Sequence, residues 1–224
     1  MYYPVSGGKN KMFSISYDPI GTDHIFTLGG KDERYVPQGS QTTWAKSVGG
    51  NLWALAVASA TFGLESFDFG KPSLQATLSN TIEDFFFPLA FFDEVTNYFI
   101  FLYPYFRRND DQTVSQLGVQ VCPTDAPDLV FQVDRDGGEG TFGVLIKASN
   151  YLHVDNNSCE LRFKPSTTEK IILGGNFFPQ YVVSFDPVGA PTNDPSKVSP
   201  RIGFDYRTQT PILKSVEGLP RDQI

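Results

Sequence analysis

The first clear rhythm in the chain is Phe13-Ser14-Ile15-Ser16-Tyr17, where apolar and polar residues alternate with the period of two that a half-buried strand requires. Asp18-Pro19-Ile20-Gly21-Thr22-Asp23 supplies turn chemistry, and His24-Ile25-Phe26-Thr27-Leu28 runs on to Gly29-Gly30, so the whole segment predicts a β-hairpin. The rhythm returns over residues 43–48 and 52–58, with Gly49-Gly50-Asn51 between them as residues suited to positive φ. Residues 85–98 predict a helix, because Pro88 suits a first turn and Leu89, Phe92, Val95 and Phe99 recur every three or four residues. After it, residues 98–105 read as a strand and 107–112 as a polar turn. Strands follow at 129–133, 142–146, 170–173, 181–185 and 202–206, the last two separated by a Pro-, Asn- and Ser-rich excursion over 187–200. The expected fold is all-β with one or two short helices, connected largely as hairpins and a meander.

Composition agrees with that pattern. Among 224 residues there are 20 Gly, 16 Pro and 20 Phe, a mixture that favours many strands and sharp turns over a helical bundle. The formal net charge of -7 disfavours any electrostatic grip on nucleic acid or an anionic membrane surface. The most apolar stretch, residues 85–106, is broken by Pro88, Asp93, Glu94, Asn97 and Pro104, so no run reaches the ~20 apolar residues of a membrane-spanning helix. The first eleven residues lack the basic segment and apolar run of a signal peptide, so the chain is expected either not to be exported or to have lost a leader.

Candidate chemistry is sparse. Cys122 and Cys159 have no further cysteine or His pair beside them, which disfavours zinc and redox readings and leaves either one disulfide or two buried thiols. Asp134-Arg135-Asp136-Gly137-Gly138-Glu139-Gly140 is oxygen-rich, but it lacks the spaced acceptors and terminal Glu of a calcium loop and sits between two strand patterns, so a hairpin turn is expected. Asn156-Asn157-Ser158 is an N-glycosylation acceptor tripeptide, with Asn156 as the acceptor in a secreted chain. No cofactor or metal is expected.

Several motifs, taken in order, resemble the C-terminal lobe of a pepsin-like aspartic protease over roughly residues 13–206. Phe13-Ser14-Ile15 is similar to that lobe's opening strand, and Thr27-Leu28-Gly29-Gly30-Lys31-Asp32 with Tyr35 and Gly39 is similar to its following hairpin. Cys122, Pro127-Asp128-Leu129-Val130-Phe131, Tyr151-Leu152 and Cys159 resemble the segment that a disulfide closes in the family. Ile172-Leu173-Gly174-Gly175-Asn176-Phe177-Phe178, then Tyr181, Phe185-Asp186 and Arg201-Ile202-Gly203-Phe204, resemble its C-terminal signature. On this resemblance residues 1–12 form a lead-in, 13–207 one lobe and 208–224 a tail.

The resemblance also locates a loss. The family's active-site loop carries Asp-Thr-Gly, whereas the aligned stretch here is Ala76-Thr77-Leu78-Ser79-Asn80-Thr81-Ile82-Glu83, followed by Pro88 at the expected distance. Ser79 falls where the catalytic aspartate belongs, Asn80 replaces the threonine, Thr81 replaces the glycine, and Gly175 stands where the final signature usually has an aspartate. The family's reaction needs two carboxylates, one from each lobe, sharing a proton and activating a water. A serine hydroxyl has far too high a pKa to replace one unaided. Ser79 as a nucleophile of another chemistry has only His24 and His153 as bases, and neither stands in a recognisable motif. Glu83 and Asp84 read as charges flanking the predicted helix start.

These residues imply no catalytic group in this chain and a role as a structural or protein-association subunit. The alternatives are one chain of a two-chain protease whose partner supplies an N-terminal lobe, and a peptide- or glycan-binding module. A single lobe of this kind implies another protein chain over the face that its sister lobe normally meets: a separate N-terminal lobe, a second copy, or a subunit of a larger assembly. A disulfide between Cys122 and Cys159 would place the chain in an oxidising compartment, in the secretory pathway or outside the cell.

Overall fold

The computed structural model describes residues 11–17, 24–48, 53–70, 73–118, 121–137, 140–155, 157–188 and 199–207. The fold is mostly strand with few short helices. In chain order the strands are β1 (Phe13–Tyr17), β2 (His24–Leu28), β3 (Thr43–Lys46), β4 (Ala54–Phe62), β5 (Glu65–Asp68), β6 (Leu74–Leu78), β7 (Phe85–Pro88), β8 (Arg107–Arg108), β9 (Val114–Leu117), β10 (Leu129–Asp134) and β11 (Thr141–Ile146). They continue as β12 (Leu152–Asp155), β13 (Ser158–Leu161), β14 (Phe163–Ser166), β15 (Lys170–Leu173), β16 (Tyr181–Asp186) and β17 (Arg201–Tyr206). Helix α1 spans Leu89–Leu102 and α2 spans Ala148–Tyr151; single 3-10 segments cover Glu33–Tyr35 and Gly175–Gln180.

Three sheets result. One has the order β2-β1-β16-β17-β3, a second β11-β10-β4-β6-β15-β7-β14 with β5 added beside β4, and a third β12-β13-β9-β8. The hairpins β1–β2 and β10–β11 form as the alternation predicts, in continuous antiparallel register. The turn between β1 and β2, at residues 18–23, lies outside the described residues. β3 and β4 do not make a hairpin ladder: β3 pairs with β17, β4 with β10 and β6, and one bridge, Val48 to Ala54, joins the two segments. The meander expected for the later chain also gives way, because β14 runs parallel to β7 and β15 parallel to β6. Parallel neighbours need crossovers, which a meander cannot supply.

The helix is displaced from its predicted position. Residues 85–88 form β7, which is buried between β14 and β15, and α1 begins only after Pro88, whose φ of -47° and ψ of 142° are extended. Phe91, Phe92, Val95, Thr96 and Phe99 are its buried stripe, while Leu89, counted in the predicted stripe, faces solvent. Residues 98–102, part of the stretch read as a strand, continue the helix because Phe99 lies on that stripe. It ends at Tyr103, where the following Pro104 disfavours helical backbone.

The main core joins α1 to the second and third sheets through aromatic rings. Phe62 of β4 lies 5.8 Å from Tyr151, 6.2 Å from Phe163 and 6.3 Å from Phe99, ring centre to ring centre. A smaller cluster of Tyr35, Val36 and Val182, joined by Ile25, covers the other face of the first sheet. Lys31 and Thr42 meet the buried carboxylate of Asp205 there, the lysine Nζ at 3.0 Å. A lone acid inside a strand signals the need for such a partner, but Lys31 is 174 positions away in the chain and no local spacing reveals it.

Asp32 caps the 3-10 turn beside this cluster. Its Oδ1 accepts from Arg34 Nε at 2.9 Å and its Oδ2 from Arg34 Nη2 at 2.8 Å, and Arg34 N bonds Oδ1 at 3.2 Å. The hydrogen bonds from the Arg34 side chain hold the Asp32 carboxyl below the usual carboxylate range, against the opposing pull of burial. A depressed folded-state pKa contributes stability that is complete above the unfolded pKa and is lost as pH falls through the folded value. Acid titration of the urea midpoint below about pH 4 is therefore expected to fall less steeply in Asp32→Asn than in the parent chain.

Candidate functional site

The site is built where β6, β15 and β7 lie side by side. β15 runs parallel to β6 and antiparallel to β7, so the chain leaving β6 must pass across the end of β15 to reach β7. Residues 79–84 make that crossing. Ser79 N donates to Leu173 O at 2.9 Å as the loop departs, and Phe85 N donates to Arg162 O at 3.0 Å where β7 begins. Beneath the crossing, Gly175 N donates to Ile82 O at 2.6 Å and Asn176 N to Glu83 O at 3.2 Å.

Gly174 is where the crossing becomes tight. A Cβ added there would lie 2.6 Å from Glu83 O and closer still to Asp84 O, both backbone atoms. Gly174 has φ of -75°, so close approach, and not a left-handed conformation, requires glycine. At Gly175 the nearest atom to an added Cβ is Ile82 O at 3.5 Å, an ordinary contact.

The side chains of the loop are hydroxyls and an amide at its tip. Ser79 Oγ lies 3.1 Å from Thr81 Oγ1 and accepts from Thr81 N at 3.4 Å; Asn80 and Thr81 are exposed. The loop's carboxylates turn elsewhere. Arg162 Nη1 sits 3.0 Å from Glu83 Oε2 and 3.1 Å from Asp84 Oδ1, so one guanidinium is ion-paired with both. They precede strand β7 and not a helix, which corrects their predicted place and makes them partners of Arg162 in the crossing. His153 sits on β12, opposite Glu160 in the third sheet, and not on the sheet that carries Ser79. The side chain of His24 is outside the described residues. The loop therefore holds hydroxyls bonded to each other, with no described base hydrogen-bonded to them.

Cys122 and Cys159 stand at disulfide distance, with Sγ–Sγ 1.97 Å and Cα–Cα 5.3 Å. Cys159 is fully buried on β13 and ties the third sheet to the segment that leads into β10. Asn156 is outside the described residues; its neighbours Asp155 and Ser158 face each other at the β12–β13 turn. The stretch from Asp134 is the β10–β11 hairpin, with Asp134 opposite Thr141 and positive φ at Gly137 and Gly140. Asp136 lies 3.8 Å from Arg201, which in turn stacks on the Trp44 ring at 4.1 Å. Among the described residues, no three His, Cys, Asp or Glu are grouped as metal ligands, and no helix is long and apolar enough to cross a membrane.

Sequence reasoning missed a cavity of about 120 Å³ walled by Phe142, Gly143, Tyr181, Phe204 and Tyr206, with Asp205 beside it. Tyr181 Oη caps the edge of β11 by donating to Leu145 O at 3.1 Å and accepting from Leu145 N at 2.8 Å. Burial pushes the Tyr181 hydroxyl well above the usual phenol range, so it stays protonated as a donor. Aromatic residues are too frequent in this sequence to mark these walls in advance. No protein-family model matches the chain, and no curated protein matches it.

Proposed function

We propose that this chain is a pepsin-like aspartic protease lobe without catalytic power, retained as a structural or protein-association subunit. The carrying observation is the crossing between β6 and β7. The position that the resemblance assigns to an acid holds Ser79, whose hydroxyl is bonded to Thr81, and the nearby acids Glu83 and Asp84 face Arg162. A water-activating dyad needs two carboxylates facing each other with one shared proton, whereas Glu83 and Asp84 are both ion-paired with Arg162. The motif series read from the sequence and the crossing of residues 79–84 over Gly174 and Gly175 support the same assignment. A cysteine pair at disulfide distance adds an oxidising compartment, in the secretory pathway or outside the cell, to this reading.

The purified chain, assayed on unfolded protein substrates across acidic pH with and without a pepstatin-type inhibitor, is expected to show no inhibitor-sensitive cleavage. Inhibitor-sensitive cleavage by the chain alone would overturn the reading. Cleavage that needs a second, Asp-bearing chain would favour a two-chain protease instead.

A further inference from the structure

β2 is the outermost strand of the first sheet, and among the described residues nothing pairs with its outer edge. Gly29 N donates to Met12 O at 2.8 Å, and the register continues Phe13 to Leu28, Ser14 to Thr27 and Ile15 to Phe26. Antiparallel pairs alternate between hydrogen-bonded and open, so Thr27 and Ile25 turn their N–H and C=O groups toward β1, whereas Leu28, Phe26 and His24 turn theirs outward. The side chains of Phe26 and Leu28 share a face with Phe13 and are 58% and 64% exposed. Proteins usually protect such an edge with Lys, Glu, Pro or a bulge. β2 contains none of these residues, and its pairing with β1 runs without a register shift.

We infer that β2 is a self-association edge, on which a second copy of this chain lays its own β2 antiparallel across a two-fold axis through Phe26. Two five-stranded sheets then continue as one. Self-complementarity selects this partner: around that axis Phe26 opposes Phe26 and Leu28 opposes His24, so three outward-facing residues meet the same three of the partner. Six backbone hydrogen bonds form with no other sequence required. Charge does not forbid pairing at this edge. Two copies of net charge -7 repel each other overall, and β2 is a strand without an acidic side chain where they can meet at small electrostatic cost. This inference rests on the association reading above and names its partner.

Sedimentation of the full chain from nanomolar to high micromolar concentration, with amide exchange at both ends of the range, tests it. The expected mass rises from 24.9 kDa to twice that value, and the Phe26 and Leu28 amides slow at least tenfold in the dimer. Leu28→Lys and Phe26→Lys are expected to raise the dimer Kd at least tenfold with unchanged circular dichroism; should either variant fail to fold, the parent chain's exchange data decide. A monomer at every concentration overturns self-pairing, as does a dimer whose Phe26 and Leu28 amides stay fast. Protection of those amides already in the monomer overturns it too, by showing the edge covered within one chain. None of these results touches the loss of catalysis, whose own test is the peptidase assay.

Discussion

Gly174→Ala is expected to remove about 4 kcal/mol or more of folding stability, a large fraction of the roughly 5–15 kcal/mol that native domains possess. The added methyl would meet Glu83 O at 2.6 Å, with Asp84 O closer, and neither backbone atom can rotate aside as a side-chain end could. Relief therefore requires the crossing itself to rise from β15, which breaks the bonds from Gly175 N to Ile82 O and from Asn176 N to Glu83 O. Overpacking of a rigid site costs about 1–3 kcal/mol, occasionally more. Each lost backbone hydrogen bond adds about 1 kcal/mol. Gly175→Ala is the control, because its new methyl would find Ile82 O at an ordinary 3.5 Å. Urea unfolding followed by tryptophan fluorescence gives both values. Equal midpoints for the two variants would show that the crossing is not held at the closeness described.

The double substitution Cys122→Ser with Cys159→Ser is expected to cost roughly 3 to 4 kcal/mol in the chain-entropy treatment of a crosslink. The two residues are 37 positions apart, so the bond removes many open conformations from the unfolded chain. It also anchors β13, whose neighbours β9 and β12 belong to a four-stranded sheet completed only by the two-residue β8. The first sign of loss is therefore expected in that sheet, as faster amide exchange of β9, β12 and β13 before global unfolding. A reducing agent should lower the parent midpoint by a similar amount and leave the double variant unchanged. An unchanged parent midpoint under full reduction would rule out a stabilising crosslink.

Alternation made two hairpins legible in the sequence, because β1, β2, β10 and β11 are half-buried strands whose side chains declare their faces. β7 was misread as the start of a helix for the opposite reason: Phe85-Phe86-Phe87-Pro88 lies between two strands, so it shows an unbroken apolar run in place of a period. The third sheet was largely missed, since β8 has two residues and β9, β12 and β13 have four each, too short for a period to register. At the candidate site, motif order located Ser79, Asn80 and Thr81. Spacing could not show that Arg162, far along the chain, would occupy Glu83 and Asp84.

The amino-acid sequence by itself determined the all-β class, the hydroxyls and amide carried by residues 79–81, and the residues available to form a crosslink, because composition, side-chain chemistry and period are local properties. Only the tertiary structure decided which strands run parallel, why Gly174 must lack a side chain, where the carboxylates of residues 83 and 84 turn, and that the outer edge of β2 is left open among the described residues. Those outcomes depend on segments distant in the chain arriving at one place, and contacts made by long loops leave no period in the residues that make them.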